Sequence, residues 1–277
     1  MNDRNFLTFF GLKYNPFLPD IPDEAIWSHP DTQVFFIKVD YLLQRGGFAL
    51  ISGEPGIGKS KTLQRLAKKL SGYSDVIAGV MKRPQSKIGD FYRELGDLFG
   101  VKLSPANRYG GFKTLRERWK DHVKTTLFHP VLLVDEAQEV PEYCLNEIRI
   151  LGSDHFDSHC LLTTILCGDL RLSERFKSPE LASLGSRIHS RLTLQPLDRD
   201  QMAGYLDHAL QESGASHLMT DDLRLVMIKH SAGNIRVLNN MASELLDIAF
   251  SREINRLDEK LFFEAFSHDK PKQRMKT

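Results

Sequence analysis

No run of apolar residues in the 277-residue chain approaches the roughly 18 that a membrane helix needs, so no membrane span is expected. The opening residues, MNDRNFLTFFGL, hold no basic segment followed by a sustained apolar one, which argues against a secretory leader. Charge of one sign is not in excess. Thirty-seven Lys and Arg face 36 Asp and Glu, a formal net charge of +1. That balance excludes an overall electrostatic pull toward nucleic acid or acidic lipid, while leaving local basic patches open. The only cysteines, Cys144, Cys160 and Cys167, are too few and too unevenly spaced for a disulfide framework or a zinc ribbon. They suit a reducing cytoplasm, the expected location. Asp154, His155, Asp157, His159 and Cys160 crowd potential metal ligands together, but at no metal-binding spacing, and read as a polar loop or helix end.

A hydrophobic content of 41% with 26% charged residues is that of a globular protein with a sizeable core. Residues 1–44 read as a lead-in packed on the core: Pro16, Pro19 and Pro22 forbid a regular helix, and a helix-compatible segment follows over 32–43. From 45 to 197, short apolar runs alternate with segments of helical periodicity. Strands are expected over 48–52, 76–81, 131–134, 161–167 and 192–194; helices over 59–70, 88–99, 112–128 and 142–151. Such alternation predicts an α/β domain, a parallel sheet with helices on both faces. From 198 to 267 every apolar pattern is helical, which predicts a small all-helical lid domain. Residues 268–277 form a basic tail.

The stretch Gly53-Glu54-Pro55-Gly56-Ile57-Gly58-Lys59-Ser60 fits the phosphate-loop pattern G-x-x-x-x-G-K-[ST] at every fixed position, with an apolar run before it and a helical pattern after. Glycines let successive amides turn toward phosphate oxygens, and the helix N-terminus adds its positive end. Residues 53–60 together with Lys61 are the candidate nucleotide cradle. Lys59 is placed to reach the β- and γ-phosphates, and the Ser60 hydroxyl to ligate Mg²⁺. The run Val131-Leu132-Leu133-Val134 ends in Asp135-Glu136, which puts carboxylates at the strand edge where parallel α/β sheets bind ligands. Asp135 is the candidate for the Mg²⁺ shell and Glu136 for polarising the attacking water, so ATP hydrolysis is expected.

These stretches are followed by Ser186-Arg187-Ile188-His189-Ser190-Arg191-Leu192 and then Ser231-Ala232-Gly233-Asn234-Ile235-Arg236. In that order, over about residues 10–266, the chain resembles the AAA+ ATPases, and within them the ExeA-type branch. The opening Phe10-Gly11-Leu12 and Asn15-Pro16-Phe17 resemble that branch as well. The resemblance implies a P-loop AAA+ core with a helical lid, working as a homo-oligomeric ring or helical filament with sites between subunits. It implies that Arg187, or else Arg191, reaches a neighbouring subunit's nucleotide, and that Arg236 on the lid contacts the γ-phosphate of its own. The family's polar first sensor falls on Asp169, with Thr164 the alternative; a carboxylate there departs from the pattern, because it repels phosphate. Pro16-Phe17 and Trp27 are candidate walls for the base.

The branch contains membrane-anchored secretion ATPases and short ATPases similar to the transposition helpers of the IstB, TniB and TnsC type. A chain that ends soon after its lid favours the second kind: an ATPase that assembles on double-stranded DNA and recruits a transposase. Lys82, Arg83 and Lys87, with Arg108, Lys113 and Arg116, are the candidate phosphate contacts, sequence-independent and salt-sensitive. Two alternatives remain: a relative of the secretion ATPase acting on proteins at the inner membrane, and a switch in which ATP controls protein assembly only.

Overall fold

The computed structural model describes residues 3–103, 107–126, 129–155 and 158–266. The basic tail lies outside the described residues, as do Phe156 and Asp157 of the crowded polar segment. The chain opens with a helix, α1 (Asp3–Phe10), that packs with the C-terminal helices; the α/β unit runs from Ser28 to Gln195. In that unit α2 (Thr32–Leu43) leads into β1 (Gly47–Gly53), followed by α3 (Lys59–Ser71), β2 (Val76–Met81), α4 (Ile88–Leu98) and α5 (Arg108–Asp121). Then come β3 (His129–Val134), α6 (Glu142–Gly152) and a minute hairpin, β4 (Ser153–Asp154) with β5 (His159–Cys160). β6 (Thr163–Gly168), the short α7 (Leu170–Arg175) and α8 (Ala182–Gly185), and β7 (Ile188–Leu194) complete it.

The five strands of the main sheet, in the order β2-β3-β6-β1-β7, are all parallel. Their continuous apolar runs follow from burial on both faces. Phe48 and Leu50 of β1 with Leu132 and Val134 of β3 face the core under α4, α5 and α6. Their neighbours Ala49, Ile51, Val131 and Leu133 face the core under α2 and α3. Edge strand β7 is different, alternating buried and exposed along IHSRLTL. Its first half carries His189 and Arg191, which is why only 192–194 read as strand in the sequence. Helix α5 starts earlier than expected, because the Asn107 side chain accepts from the Gly110 amide at 2.8 Å and caps it. It ends in a π-turn over His122–Thr126.

Two charged clusters brace the helical layer. Glu147, only 4% exposed, accepts from the Tyr92 hydroxyl and the Arg108 guanidinium, tying α4, α5 and α6 together. Burial and the neighbouring carboxylate push the Tyr92 phenol well up, so it stays a donor. Arg116, 17% exposed, donates to the carbonyls of Leu151 and Ser153 and to Asp154, which Lys120 also pairs at 2.7 Å.

The helical unit comprises residues 196–266 and the lead-in 3–27. α9 (Arg199–Glu212) begins with a capping box between Asp198 and Gln201. α10 (Asp221–Ser231), α11 (Ile235–Ser251) and α12 (Glu259–Phe266) follow. The turn between α10 and α11 needs Gly233: its φ is +79°, and a Cβ there would lie 2.4 Å from the Leu197 carbonyl oxygen. The expectation that the lead-in packs on the core is corrected for 3–27. Phe6, Phe9 and Phe10 ring Phe250 of α11 at centroid distances of 5.3–6.4 Å, while residues 28–44 do join the α/β unit. The boundary falls at 195/196, two residues before the expected one.

Candidate nucleotide site

The phosphate loop leaves β1 at Gly53 and enters α3 at Lys59. Gly53, Gly56 and Gly58 all have positive φ, at 153°, 86° and 100°. No side chain caps α3; its N-cap is Gly58, so the first-turn amides face the loop interior without a local acceptor. Ile57, 1% exposed, pins the loop into the core beneath α2 and α3. Lys59 is buried and its Nζ donates to the Glu54 carbonyl at 2.8 Å, so the ammonium lies within the loop. Ser60 is exposed at the second position of α3, and the Lys61 Nζ turns outward to Gln64 Oε1 at 3.1 Å.

Asp135 and Glu136 extend β3, two strands from β1, with β6 between them. The Asp135 Oδ1 accepts from the Glu136 amide at 2.9 Å, and Glu136 takes a left-handed conformation, φ +50°, that turns the chain at the strand end. Cys167 on β6 lies against Asp135; burial first, then that carboxylate, push the thiol well up, so it stays neutral. Gln138, which the sequence reading did not select, links the parts. Its amide nitrogen donates to Glu136 Oε2, and its amide oxygen accepts from the Asp169 N–H at 3.1 Å. Arg175 of α7 holds the Gln138 carbonyl from behind. A glutamine three residues past the Asp is an ordinary turn residue in sequence; its role depends on where β6 ends.

Asp169 is explained by the same contacts. Its Oδ1 caps α7 by accepting from the Arg171 amide at 2.9 Å, and its Oδ2 pairs with the Arg171 guanidinium at 2.7 Å. Burial pushes this carboxyl up, but the hydrogen bonds from Arg171, with Lys59 nearby, outweigh it and hold it below the usual carboxylate range. The departure from the polar sensor is therefore a helix cap neutralised by an arginine. The alternative, Thr164, is the second residue of β6, pairs with Phe48 near the start of β1, and lies four residues before the strand end at Gly168.

Arg187 directly precedes β7, whose first residue, Ile188, pairs with Phe48 near the beginning of β1, whereas Arg191 sits mid-strand, paired with Leu50. The seven residues of β1 put the loop about 20 Å from the start of β7 beside Arg187, at the other edge of the sheet, and about 10 Å along the strands from Arg191. Neither arginine serves the loop of its own chain. Arg191 donates to the Gly185 carbonyl at 2.9 Å and Arg187 to that of Ser183. Arg236 is exposed in the first turn of α11, which the Asn234 side chain caps. Phe17 is buried and Trp27 packs edge-on against Tyr205, 5.8 Å between centroids, so both are core of the helical unit. Of the proposed DNA contacts, Arg116 is withdrawn: it is spent on Asp154 and carbonyls. Arg108 is paired with Glu147, and Lys113 faces Glu117 at 3.8 Å. Lys82, Arg83 and Lys87 are exposed, and their side chains make no ion pair among the described residues, while the Glu94 carboxylate accepts from the Lys82 and Arg83 amides.

The donor set fits a nucleoside triphosphate with Mg²⁺. Uncapped amides and Lys59 suit phosphate, and the Ser60 hydroxyl with the Asp135 carboxylate are the hard oxygen ligands Mg²⁺ requires. No helix among the described residues is long and apolar enough to cross a membrane.

Comparison with known proteins agrees. Residues 42–176 match the model of the AAA domain. General secretion pathway protein A of Aeromonas hydrophila is 27% identical over 257 residues, 91% of this chain and 46% of that protein, so the chain spans about half of that relative. The fold is shared with the Aeropyrum pernix Orc1 protein solved in complex with DNA, at TM-score 0.68 and 17% identity over 90% of this chain and 67% of that one. It is shared too with domain III of the Thermotoga maritima replication initiation protein DnaA, at TM-score 0.60 and 15% identity over 90% and 96% of the chains. The segment 42–176 matched to the AAA domain holds four of the five strands of the main sheet; β7 and the helical region follow it.

Proposed function

We propose that the protein is an Mg²⁺-dependent ATPase whose hydrolysis is completed between copies, and that it assembles on duplex DNA to recruit or activate a transposase. The observation that supports the shared site is the separation of parts: loop and carboxylates at one edge of the sheet, Arg187 at the other, with Arg191 midway along β7. Within a copy, Lys59 and the α3 amides bind and orient the phosphates, while Glu136, held by Gln138, takes a proton from the attacking water. Bound Mg²⁺ supplies neutralisation of phosphate charge. Arg187, with Arg191 behind it, stabilises the charge developing on the neighbour's phosphoryl group, and Arg236 reports the γ-phosphate within its own copy.

Support for DNA comes from the shared fold with Orc1 in its DNA complex and from the free cations Lys82, Arg83 and Lys87. The secretion reading has its own support in the similarity to general secretion pathway protein A over most of this chain, and it predicts protein partners at the inner membrane. One experiment separates them: ATPase rate with and without nonspecific duplex DNA over a salt series, with Glu136→Gln as the blank. Stimulation that fades with salt and is lost in Lys82→Glu/Arg83→Glu supports the DNA reading. Glu136-dependent turnover indifferent to DNA refutes it.

A further inference from the structure

At the edge of the sheet away from the loop, a cavity of about 280 Å³ is lined by Leu42 of α2, Arg45 just after it, Gly47, Arg149 of α6, and Arg187 and His189 flanking the start of β7. Its chemistry is one-sided: the described lining residues include Arg45, Arg149, Arg187, His159 and His189 and no carboxylate. Arg187 itself donates to the Ser183 carbonyl, and most other arginines of the unit are engaged, although Arg65 also has a buried guanidinium nitrogen without a hydrogen bond. Arg108, Arg116 and Arg171 each hold a carboxylate, and Arg175 holds backbone carbonyls. Arg149 has no acceptor among the described residues, and its Nε is shut off from solvent without a hydrogen bond. A buried guanidinium donor left unmade is costly, and here it belongs to a side chain on the wall of a cleft whose described lining is cationic. The glycines at the rim allow the close packing: a Cβ on Gly46 would lie 2.1 Å from the Cys160 carbonyl oxygen, and one on Gly47 3.1 Å from His189 Nδ1.

We infer that this cleft receives the terminal phosphates of a nucleotide held by a second copy of the chain, with Arg149 and Arg45 as ligands beside Arg187. The inference rests on the shared-site reading above and extends it to residues that no motif marks. Its size favours a phosphate group over a whole ligand, since the cavity is at the lower limit for small-molecule pockets. The source follows from placement. The cleft and the loop occupy opposite edges of one sheet, and head-to-tail packing of identical chains brings opposite edges together and repeats. The loop edge, with Asp135, Glu136 and a triphosphate, is the acidic complement. Val34, Ile37 and Tyr41, exposed at helical spacing on α2 just before the cleft wall, add an apolar contact beside it.

The test uses the full chain with ATP, duplex DNA and a fluorescent ATP analogue. Arg149→Ala should cut turnover about 10–100-fold while analogue binding stays within about twofold, with Arg149→Lys intermediate. Mixing Arg149→Ala with Glu136→Gln should restore turnover, because the first supplies an intact loop edge and the second an intact cleft. Wild-type turnover in Arg149→Ala and Arg45→Ala overturns the inference, and so does an inactive Arg149→Ala that no mixture rescues. Loss of DNA stimulation alone assigns the cleft to DNA and also overturns it. A parallel mixture of Arg187→Ala with Glu136→Gln keeps the two claims apart. If that pair is rescued while Arg149→Ala is indifferent, shared hydrolysis stands and only the Arg149 assignment falls.

Discussion

Replacing Gly53 by alanine should both destabilise the α/β unit and disable the loop, and Gly100→Ala is the control that separates the causes. Both glycines have positive φ, 153° and 69°, which costs an L-residue about 1–2 kcal/mol. Gly100 has nothing within 4 Å of a new Cβ, so its loss should stay near that range. At Gly53 the added methyl would lie 2.4 Å from Ile57 Cδ1 and 2.6 Å from the Leu194 carbonyl oxygen. The isoleucine tip can swing, but the carbonyl belongs to β7 and cannot. Overpacking of this kind adds about 1–3 kcal/mol, for a total of about 2–5 kcal/mol at Gly53. The assay is urea unfolding followed by Trp119, which is fully buried in the α/β unit, in a Trp27→Phe background. Displacing Ile57 also moves the loop it anchors, so affinity for a fluorescent ATP analogue should fall at least about tenfold in Gly53→Ala and hold in Gly100→Ala. Equal stability losses, or unchanged affinity in Gly53→Ala, would refute the packing argument.

Glu136→Gln should lower kcat about 10²–10⁴-fold with nucleotide binding intact; a turnover loss below tenfold removes Glu136 from the role of base. Gln138→Ala, freeing Glu136 from Asp169, should reduce kcat about tenfold with KM unchanged, and Gln138→Glu should shift the acid limb of the pH–rate profile. A profile identical to wild type shows that Gln138 does not position the base. The Asp169 carboxyl is lower in the folded than in the unfolded chain, so its contribution is complete above the ordinary carboxylate value and fades as pH falls through the depressed one. The stability gap between wild type and Asp169→Asn should accordingly be constant at neutral pH and close in acid; a gap that widens in acid contradicts the Arg171 pairing. Arg116→Ala, which leaves two carbonyls without their donor and Asp154 with Lys120 as its remaining strong partner, should cost about 1–3 kcal/mol without changing the salt dependence of DNA stimulation, whereas a DNA-contacting arginine would flatten it.

Sequence alone determined the loop, because 53–60 is a contiguous device: glycines that permit positive φ, then a lysine and a hydroxyl opening a helix. It determined Asp135-Glu136 for the same local reason, and it indicated the parallel sheet, since strands buried on both faces leave unbroken apolar runs. Tertiary structure decided everything that depends on two distant segments meeting. Gln138 gained its role only when the end of β6 came beside the turn after β3. Asp169 changed from a repelling sensor to a neutralised cap through Arg171, and Arg116 from a DNA contact to an internal clamp through Asp154. Phe6, Phe9 and Phe10 of the lead-in were equally ready to pack on either unit; Phe250 settled it for the helical one. The basic cleft joins residues about 140 positions apart in the chain, Arg45 and Arg187. Local pattern records what a segment can do, whereas charge pairing and burial belong to the fold, which chooses partners the pattern does not name.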